Sequence, residues 1–356
     1  MAEIKLSYNP NFVIHPGETL KDELEFLKLT QVELAQRTGL SEKHISQIIN
    51  GADPITSDTA IKLEIALGVP ATFWNNLQKN YELNLARIDS EKRITQEIEE
   101  GRKFICYPEL VALGCIEKTG DWKTKTANLL KFFGVNSLSY IQNTEPIAFR
   151  QASGKFDQRS LAAWLRCGEL DANKIETKEF DKKNIKSTIS KIRQLTLLPD
   201  GFGSKLQELC ASVGVAVVYT PYFKNTKVNG SARWMGNKAV IQLNTKGAFS
   251  DIFWFTFFHE LGHILLHGVK GEFLDYQGKT KDEKEKEADN FAAEALIATD
   301  DYNKLLEIKP LIRPKVESFA KSIGIGTGIV LGRLAHEGKV NWKKIAHLKD
   351  RLVIKP

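Results

Sequence analysis

The sequence has few cysteines and lacks any long hydrophobic run. Its four cysteines are scattered over 356 residues without a C-x-x-C pair, so we expect reduced core thiols rather than disulfides or cysteine-ligated metal. No apolar stretch reaches the roughly 18 residues that a membrane helix needs. No basic-then-apolar leader opens the chain. We therefore expect a cytoplasmic protein that does not contact a membrane.

Phosphate-binding glycine loops are also missing. Gly324, Gly326 and Gly328 fit no G-x-G-x-x-G spacing, and no strand leads into them. Hydrophobic residues make up 42% and charged residues 26% of the chain, which is ordinary for a globular protein. A chain of this length is expected to form two or three domains.

Charge is distributed unevenly along the chain. The net charge is +6, but residues 1–80 carry seven Lys/Arg against ten Asp/Glu, and residues 302–356 carry twelve against four. Basic surfaces attract nucleic-acid phosphates or acidic partners. The acidic excess therefore counts against DNA binding by residues 1–80. The basic excess of residues 302–356 favours contacts with phosphates or acidic partners there.

Residues 16–87 carry the start and stop signals of five short helices. Thr30 followed by Glu33 predicts a capping box, Gly39 a left-handed helix end, and Ser41 the N-cap of the next helix. Pro70 lies near the first turn of the fifth helix. The positions expected to be packed are Leu20, Leu24, Leu27, Leu34, Ala35, Leu40, Ile45 and Ile48.

The order of these signals resembles a known regulator family. A G-E-T-L opening, a Q-V-E-L-A turn and an ATFWNNLQ tail, together spanning about residues 12–87, resemble the Xre-type helix-turn-helix domain and, more closely, the antitoxins of Hig-type toxin–antitoxin pairs. The resemblance implies that the second helix of the motif enters the DNA major groove. It also implies a homodimer on a palindromic operator, with a cognate toxin as a further partner.

This resemblance assigns a set of DNA-binding candidates. The groove-facing candidates are Ser41, Lys43, His44, Ser46, Gln47 and Asn50, and Gln31 is a phosphate-contact candidate at a helix N-terminus. The alternative is a helical bundle used only for dimerisation or toxin contact, which the acidic balance favours. Four of the ten acids, however, lie on the first helix, away from the recognition surface: Glu18, Asp22, Glu23 and Glu25.

The middle of the chain predicts a helical connector over residues 88–199. Apolar residues recur at helical spacing, and no metal-ligand pattern appears. The alternative function for this region is a sensor or a toxin-docking surface. A strand over 215–221 and a strand pair folded at Gly236-Asn237, with a turn at Asn229-Gly230 before it, are expected next. Residues 231–234 could then pair with an extended substrate at a sheet edge.

A His-Glu-x-x-His pattern lies in the apolar stretch that follows. On a helix, His259 and His263 would stand one turn apart and present two imidazoles to one ion, with Glu260 beside them as general base. The third ligand should come from the acidic helix predicted over 283–297. Glu287 is the first choice, because it precedes the apolar face of that helix, and Glu285 and Asp289 are the alternatives. A buried helix with satisfied histidines is the simpler interpretation.

The two helices together resemble the ImmA/IrrE metallopeptidases, which cleave repressor proteins. The matching residues are His259, Glu260, His263, Glu287, Ala288, Phe291 and Ala292. The resemblance implies one zinc per chain, with Glu260 transferring protons during peptide hydrolysis. His267, eight residues after His259, lies too far along the helix to share the ion and is expected to support a ligand or face the substrate.

The last segment, residues 301–356, predicts a basic tail. Its helix pair over 317–338 looks like the helix-turn-helix-like tail of the same peptidase family. The basic residues on or after this pair are Arg333, Lys339, Lys343, Lys344, Lys349 and Arg351. They form either a solvated face or a surface for DNA phosphates or an acidic partner.

The sequence thus predicts a mainly α fold with a small β-sheet, of the α+β class. The expected domains are a five-helix DNA-binding domain (1–87), a helical connector (88–199), a zincin-like metallopeptidase core (200–300) and the basic tail (301–356). Three functions remain open: an active protease-regulator that cleaves a repressor or partner, an antitoxin-type autorepressor with a catalytically silent metal-binding or sensory domain, and a peptidase whose front domain binds protein instead of DNA.

Overall fold

The computed structural model describes residues 13–144, 157–245, 249–268, 273–276, 283–341 and 351–352, with 273–276 described as backbone only. The chain divides into two units, Met1–Ile98 and Glu99–Pro356. Most described residues are helical and one small sheet lies in the second unit, which confirms the predicted fold class. Within the described ranges, no helix is both long enough and apolar enough to cross a bilayer.

The first unit contains helices whose ends follow the predicted capping signals. The helices are α1 (Pro16–Leu27), α2 (Gln31–Thr38), α3 (Glu42–Ile49), α4 (Ser57–Leu67) and α5 (Ala71–Gln96). Thr30 and Glu33 form both bonds of the capping box, and Gly39 ends α2 with a φ of 68°. Ser41 Oγ accepts a hydrogen bond from the backbone N–H of His44 at 3.2 Å. These predictions are confirmed.

The core of the first unit joins all five helices. Its fully buried side chains include Leu20, Leu34, Ile45, Ile48, Leu63 and Trp74. Gly17 allows α1 to approach the end of α3 closely, because a Cβ at Gly17 would lie only 2.0 Å from the carbonyl oxygen of Ile48. The predicted burial of Leu27 is wrong: it is 38% exposed, since α1 ends there and Lys28 turns the chain through a left-handed conformation.

The second unit begins with the helices predicted for the connector. They are α6 (Ile98–Arg102), α7 (Tyr107–Ala112), α8 (Trp122–Phe133), a 3-10 turn (Leu138–Tyr140), α9 (Ile141–Thr144), α10 (Gln158–Lys174) and α11 (Lys182–Leu195). Buried residues of α7, α8 and α10 share one cluster with Phe223 and Val228, which flank or begin the sheet region. The connector therefore packs onto the region that follows it and belongs to the same unit.

The sheet is mixed and has the order β1-β3-β2-β4. Its strands are β1 (Val215–Thr220), β2 (Val228–Met235), β3 (Lys238–Asn244) and β4 (Phe273–Tyr276); β1 and β3 are parallel, and β2 is antiparallel to both β3 and β4. The turn at Gly236-Asn237 is confirmed. The turn predicted at Asn229-Gly230 is wrong, because both residues lie inside β2, where the register with β4 shifts between Val228 and Gly230.

Edge pairing through Ser231 and Ala232 is also a wrong prediction for this sheet. β2 has β3 on one side and β4 on the other, so Ser231 and Ala232 already pair with neighbouring strands on both sides. β4 was not predicted, because four residues carry too little pattern to be recognised as a strand. β1 and β4, not β2, are the outer strands among those described.

Helices cover both faces of the sheet, which explains why β1 and β3 are mostly apolar and buried. Ala239, Ile241 and Leu243 of β3 enter the large core that includes α13 (Ser250–His267), whereas Val240 packs with Ala172 of α10 on the other face. Gln242 of β3 is a buried polar residue, and its side-chain amide donates to the carbonyl oxygen of Trp164 at 2.7 Å. The alternation of β-strand side chains thus gives a helix–sheet–helix sandwich.

The remaining helices close the core around α13. They are α12 (Phe202–Ala211), α14 (Glu283–Leu296), α15 (Thr299–Glu307), α16 (Arg313–Ser322) and α17 (Thr327–His336). The predicted helix pair of the tail is present as α16 and α17, and Phe319 and Leu334 are buried in the same core as Phe257. The tail helices are therefore an integral part of the second unit.

Burial also fixes the role of one basic residue in the tail. Arg333 donates to the carbonyl oxygens of Ala293 and Ile297 at 3.2 and 2.7 Å, and its guanidinium lies 3.9 Å from the centre of the Tyr302 ring. It thus binds the end of α14 instead of facing solvent. Lys339 is exposed, and Arg351 lies over the ring of Phe249. Lys343, Lys344 and Lys349 lie outside the described residues.

Candidate metal centre and nucleic-acid interface

The helix that carries His-Glu-x-x-His is almost entirely buried. α13 contributes Phe257, Phe258 and Leu261 to the main core, and His259, Glu260 and His263 are at most 2% exposed. Gly262 lets α14 approach closely, because a Cβ at this position would lie 3.2 Å from the Cα of Ala288. The close packing of these two helices positions the side chains of the site.

Three side chains from α13 and α14 converge on one point. His259 Nε2 lies 3.0 Å from His263 Nε2, and Glu285 places Oε2 3.2 Å from His259 Nε2 and Oε1 3.4 Å from His263 Nε2. Together they form a group of three potential ligands for one metal ion. Two imidazoles and a carboxylate are the protein ligand set of several catalytic zinc sites.

The carboxylate in this group is Glu285 and not Glu287, which was the first choice from the sequence. Ala288, Ala292 and Leu296 form the buried stripe of α14, and Glu285 lies three residues before Ala288 on that same stripe. Glu287 lies immediately before Ala288, about 100° around the helix. Its side chain is 61% exposed and that of Glu285 only 15%.

The other two acids of α14 that the sequence offered as third ligand contact histidines from outside the group. Asp289 Oδ1 lies 2.9 Å from His259 Nδ1, so this carboxylate can fix the ring and its tautomer. Glu287 Oε2 lies 2.9 Å from His267 Nε2, and His267 Nδ1 lies 3.0 Å from His263 Nδ1. The three acids considered for one role thus occupy three different positions. Sequence reasoning assigned no separate role to Asp289, although its one-turn offset from Glu285 on α14 could have suggested one.

Burial and hydrogen bonding prepare the group for a cation. Burial is the main cause that lowers the pKa of His263 and favours its neutral form. Burial alone would raise the pKa of Glu285, but the hydrogen bonds from His259 and His263 outweigh it and bring this pKa to about 2. An ionised carboxylate beside a neutral imidazole is the protonation state in which these groups bind metal.

Glu260 lies on the sheet side of the same helix. A Cβ at Gly230 of β2 would lie 2.9 Å from Glu260 Oε1 and 2.6 Å from Thr256 Cγ2. Only a glycine therefore lets β2 pass so close to α13. The carboxyl of Glu260 is fully buried next to this strand.

The predicted DNA-binding residues cluster on and around α3. Gln31, Ser41, Lys43 and Asn50 are exposed, and His44, Ser46 and Gln47 are half-buried. Ile45 and Ile48 point inward and hold the helix on the first-unit core. The polar face of α3 is therefore presented to solvent, with apolar anchors on its other side.

Four of these candidates also make local contacts. His44 Nδ1 lies 3.1 Å from Asp53 Oδ2, and Asn50 donates to Ser46 Oγ at 3.2 Å. Ser41 is the N-cap of α3. These contacts orient the side chains, so His44, Ser46 and Asn50 are less free than Lys43 and Gln47 to adapt to a partner.

The folds and sites define a helix-turn-helix protein joined to a peptidase-type domain with a His-His-Glu cluster. Residues 20–74 match the helix-turn-helix family, and residues 210–334 match the family described as the IrrE N-terminal-like domain, a peptidase family. The first unit therefore contains a helix-turn-helix domain, and the second unit contains an IrrE N-terminal-like domain.

Individual proteins and solved structures are similar to about a quarter of the chain. Virulence-associated protein I of Dichelobacter nodosus is 37% identical over 79 residues, which cover 22% of this chain and 73% of that protein. An addiction module antidote protein of a HigA family from Coxiella burnetii is 41% identical over 24% of this chain and 92% of its own, with a TM-score of 0.22. Pseudomonas aeruginosa antitoxin HigA, solved with the higBA promoter, is 34% identical over 24% and 95%, with a TM-score of 0.23.

Proposed function

We propose that this chain is a DNA-binding regulator of antitoxin type that carries a zinc-dependent endopeptidase, which cleaves a repressor or partner protein. The observation that carries the proposal is the convergence of His259, His263 and Glu285 beside the buried Glu260. The match of residues 210–334 to a peptidase family supports it independently.

The ligand group fits zinc in its chemistry and its spacing. With bonds of about 2.0–2.2 Å, donors at the corners of a tetrahedron lie roughly 3.3–3.5 Å apart. The two histidine Nε2 atoms lie 3.0 Å apart, and each lies near that spacing from one oxygen of Glu285: Oε2 is 3.2 Å from His259 and Oε1 is 3.4 Å from His263. We therefore assign His259, His263 and Glu285 as zinc ligands.

The chain's own residues supply the proton chemistry. A zinc ion in this group would lower the pKa of water to about 7 and polarise a peptide carbonyl. Glu260 is the general base: its carboxylate takes a proton from the attacking water and later gives it to the leaving amine. Asp289 and the His267–Glu287 pair hold the two histidines in orientation.

The test of the peptidase compares two variants of the full chain. Purified protein should contain one zinc per chain, and His263→Ala should remove it. The protein is incubated with a mixture of extended synthetic peptides, and the products are identified by mass spectrometry. Glu260→Gln should keep the zinc and reduce cleavage by about 10²–10⁴-fold. Equal cleavage by wild type and Glu260→Gln would exclude Glu260 as the base. Bound zinc with no cleavage in either would favour the silent, sensory domain.

We further propose that the first unit binds a palindromic operator as a homodimer, through the solvent-facing side of α3. The exposed Lys43 and the half-buried Gln47 support this, together with the similarity to an antitoxin solved with its promoter. A gel shift on DNA upstream of the gene, with unrelated DNA as competitor, tests it. Lys43→Ala combined with Gln47→Ala should abolish the specific shift, while Lys79→Ala, on α5, should retain it. An unchanged shift in the double variant would move the interface away from α3.

A further inference from the structure

Two of the four cysteines lie in contact with each other. Cys115 follows α7 and Cys167 lies on α10, and their Sγ atoms are 3.5 Å apart although 52 residues separate them in sequence. Cys106 and Cys210 are fully buried in the apolar clusters of the second unit. The chain therefore contains one pair of thiols in contact and two buried, isolated thiols that can serve as internal controls.

The two thiols of the pair differ in environment. Cys115 is half-buried and Cys167 is 2% exposed. Asp171 and Lys174, which form an ion pair at 2.8 Å, lie one and two turns further along α10 from Cys167. The pair therefore lies at the solvent edge of α10. A small oxidant can reach Cys115 from solvent, whereas Cys167 is shielded behind Cys115.

Their acidities differ in the same sense. The hydrogen bond with Cys167 lowers the pKa of Cys115 and outweighs the opposing effects of burial and of Asp171. The bond to Cys115 and burial raise the pKa of Cys167. Burial raises the pKa of the isolated Cys106 to about 12. Among these thiols Cys115 is thus the one that ionises most readily, and the thiolate is the reactive form.

We propose that Cys115 and Cys167 form a reversible oxidation site, at which a hydroperoxide converts the two thiols into an intramolecular disulfide. The Cys115 thiolate attacks one peroxide oxygen, the O–O bond breaks, and with one proton the leaving oxygen departs as water or an alcohol. The Cys167 sulfur then attacks the sulfenic acid on Cys115, forming the S–S bond and releasing water. Two sulfur atoms are oxidised by one electron each, and the peroxide takes up both electrons.

The surrounding structure allows this bond with little movement. The sulfur atoms need to approach by about 1.5 Å to reach a disulfide length of about 2.05 Å. α10 is held against the sheet by the bond from Gln242 to the Trp164 carbonyl, so the Cys115 segment must supply the movement. Gly114, with a φ of 69°, precedes Cys115 and begins the chain turn there. The product would tie the segment after α7 to the helix that covers one sheet face.

The experiment uses the reduced full chain treated with hydrogen peroxide, followed by thiol counting and peptide mapping. Two of the four thiols should disappear, a Cys115–Cys167 linked peptide should form, and dithiothreitol should restore all four. In Cys167→Ser, Cys115 should accumulate as a sulfenic acid that a 1,3-diketone reagent traps. In Cys106→Ala and Cys210→Ala the disulfide should form as in wild type.

Specific results would overturn the proposal. Four unreacted thiols under peroxide, or a linkage from Cys115 to a second chain or to another cysteine, would each do so. Melting temperature gives a further check: a disulfide that fits the fold should raise the transition of the second unit by roughly 5 °C or more. A lower transition after oxidation would show that the native positions of the two sulfurs do not suit the bond.

Discussion

The two helices to which we assign functions, α3 and α13, are built in opposite ways. α3 has eight residues, a serine N-cap and a polar face in solvent, and Ile45 and Ile48 are its buried anchors. α13 has eighteen residues, its functional histidines are buried, and its partner ligand comes from another helix. A groove-binding helix acts through what it exposes, whereas a metal-binding helix acts through what the fold places against it. Changes on α13 should therefore have larger effects than changes on α3.

The largest effect is expected from Glu285→Ala. Removing a zinc ligand from this buried group should weaken zinc binding by more than the roughly 10–100-fold that loss of an outer contact costs. Competition with a chromophoric chelator measures the affinity. The matched variant is Glu287→Ala on the same helix, which removes only a contact to His267.

Asp289→Ala should fall between these two variants, because it removes the contact to His259 Nδ1 but leaves the ligand set intact. The expected order of zinc affinity is Glu287→Ala above Asp289→Ala above Glu285→Ala. If Glu287→Ala lost the zinc and Glu285→Ala retained it, the assignment of Glu285 would be reversed.

The contrast between helices also explains what the sequence could predict. Thr30, Glu33, Gly39 and Ser41 were assigned from neighbours within a few residues, and capping is a local interaction that survives in any fold. The placement of Glu285 depends on how α14 is rotated against α13, over about 25 residues of chain. The apolar positions Ala288, Ala292 and Leu296 indicate which face of α14 packs against α13, but a motif match favoured Glu287 instead.

The sheet shows the same limit. β1, β2 and β3 were expected from β-branched runs and one tight turn, whereas β4 has only four residues. Without β4, residues 231–234 look like an open edge. Which strand forms an edge is a property of the whole sheet and cannot be read from the strand itself.

The second prediction concerns Gly230→Ala, the closest approach of the sheet to α13. The added methyl group would lie 2.9 Å from Glu260 Oε1, so the carboxylate must shift. A displacement of about 1 Å can cost about 10²-fold in rate, so cleavage should fall while zinc content stays at one per chain. Peptide cleavage and metal analysis measure the two quantities.

The matched control for Gly230→Ala is Ser231→Ala, since the next residue of a strand faces the opposite side. This control should leave the cleavage rate within a few-fold of wild type. Loss of zinc from Gly230→Ala would contradict the prediction, because it would mean that β2 supports the ligand group rather than the base.

The third prediction separates two roles on α3. If Lys43 contacts a phosphate, Lys43→Ala should weaken binding to all DNA and reduce the slope of log K against log salt by about 1. If Gln47 contacts a base edge, Gln47→Ala should cost about 1–3 kcal/mol on the operator and leave nonspecific binding nearly unchanged. Fluorescence anisotropy at several salt concentrations measures both. The same salt slope for both variants would remove the distinction.

The smallest effect is expected at the capping box that begins α2. Hydrogen bonds from the backbone N–H and the hydroxyl of Thr30 lower the pKa of Glu33 below its ordinary value of 4.5. A lowered folded-state pKa means that this carboxylate stabilises the first unit above the unfolded pKa and that the stabilisation is lost as pH falls through the folded value.

Hydrogen exchange of the α2 amides in the full chain can test this. The quantity compared at each pH is the ratio of the protection factor in wild type to that in Glu33→Gln. The ratio should favour protection in wild type at pH 6–7 and approach one as Glu33 becomes protonated. The amide of glutamine can still accept the Thr30 bonds, so the difference isolates the charge of Glu33. Because Glu33 is exposed, added salt should also reduce the difference in protection between wild type and Glu33→Gln. The zinc affinity, which depends on the largely buried Glu285, should respond to salt much less. A constant ratio across pH would show that the capping box acts through hydrogen-bond geometry alone and that the charge of Glu33 contributes nothing to the stability of α2.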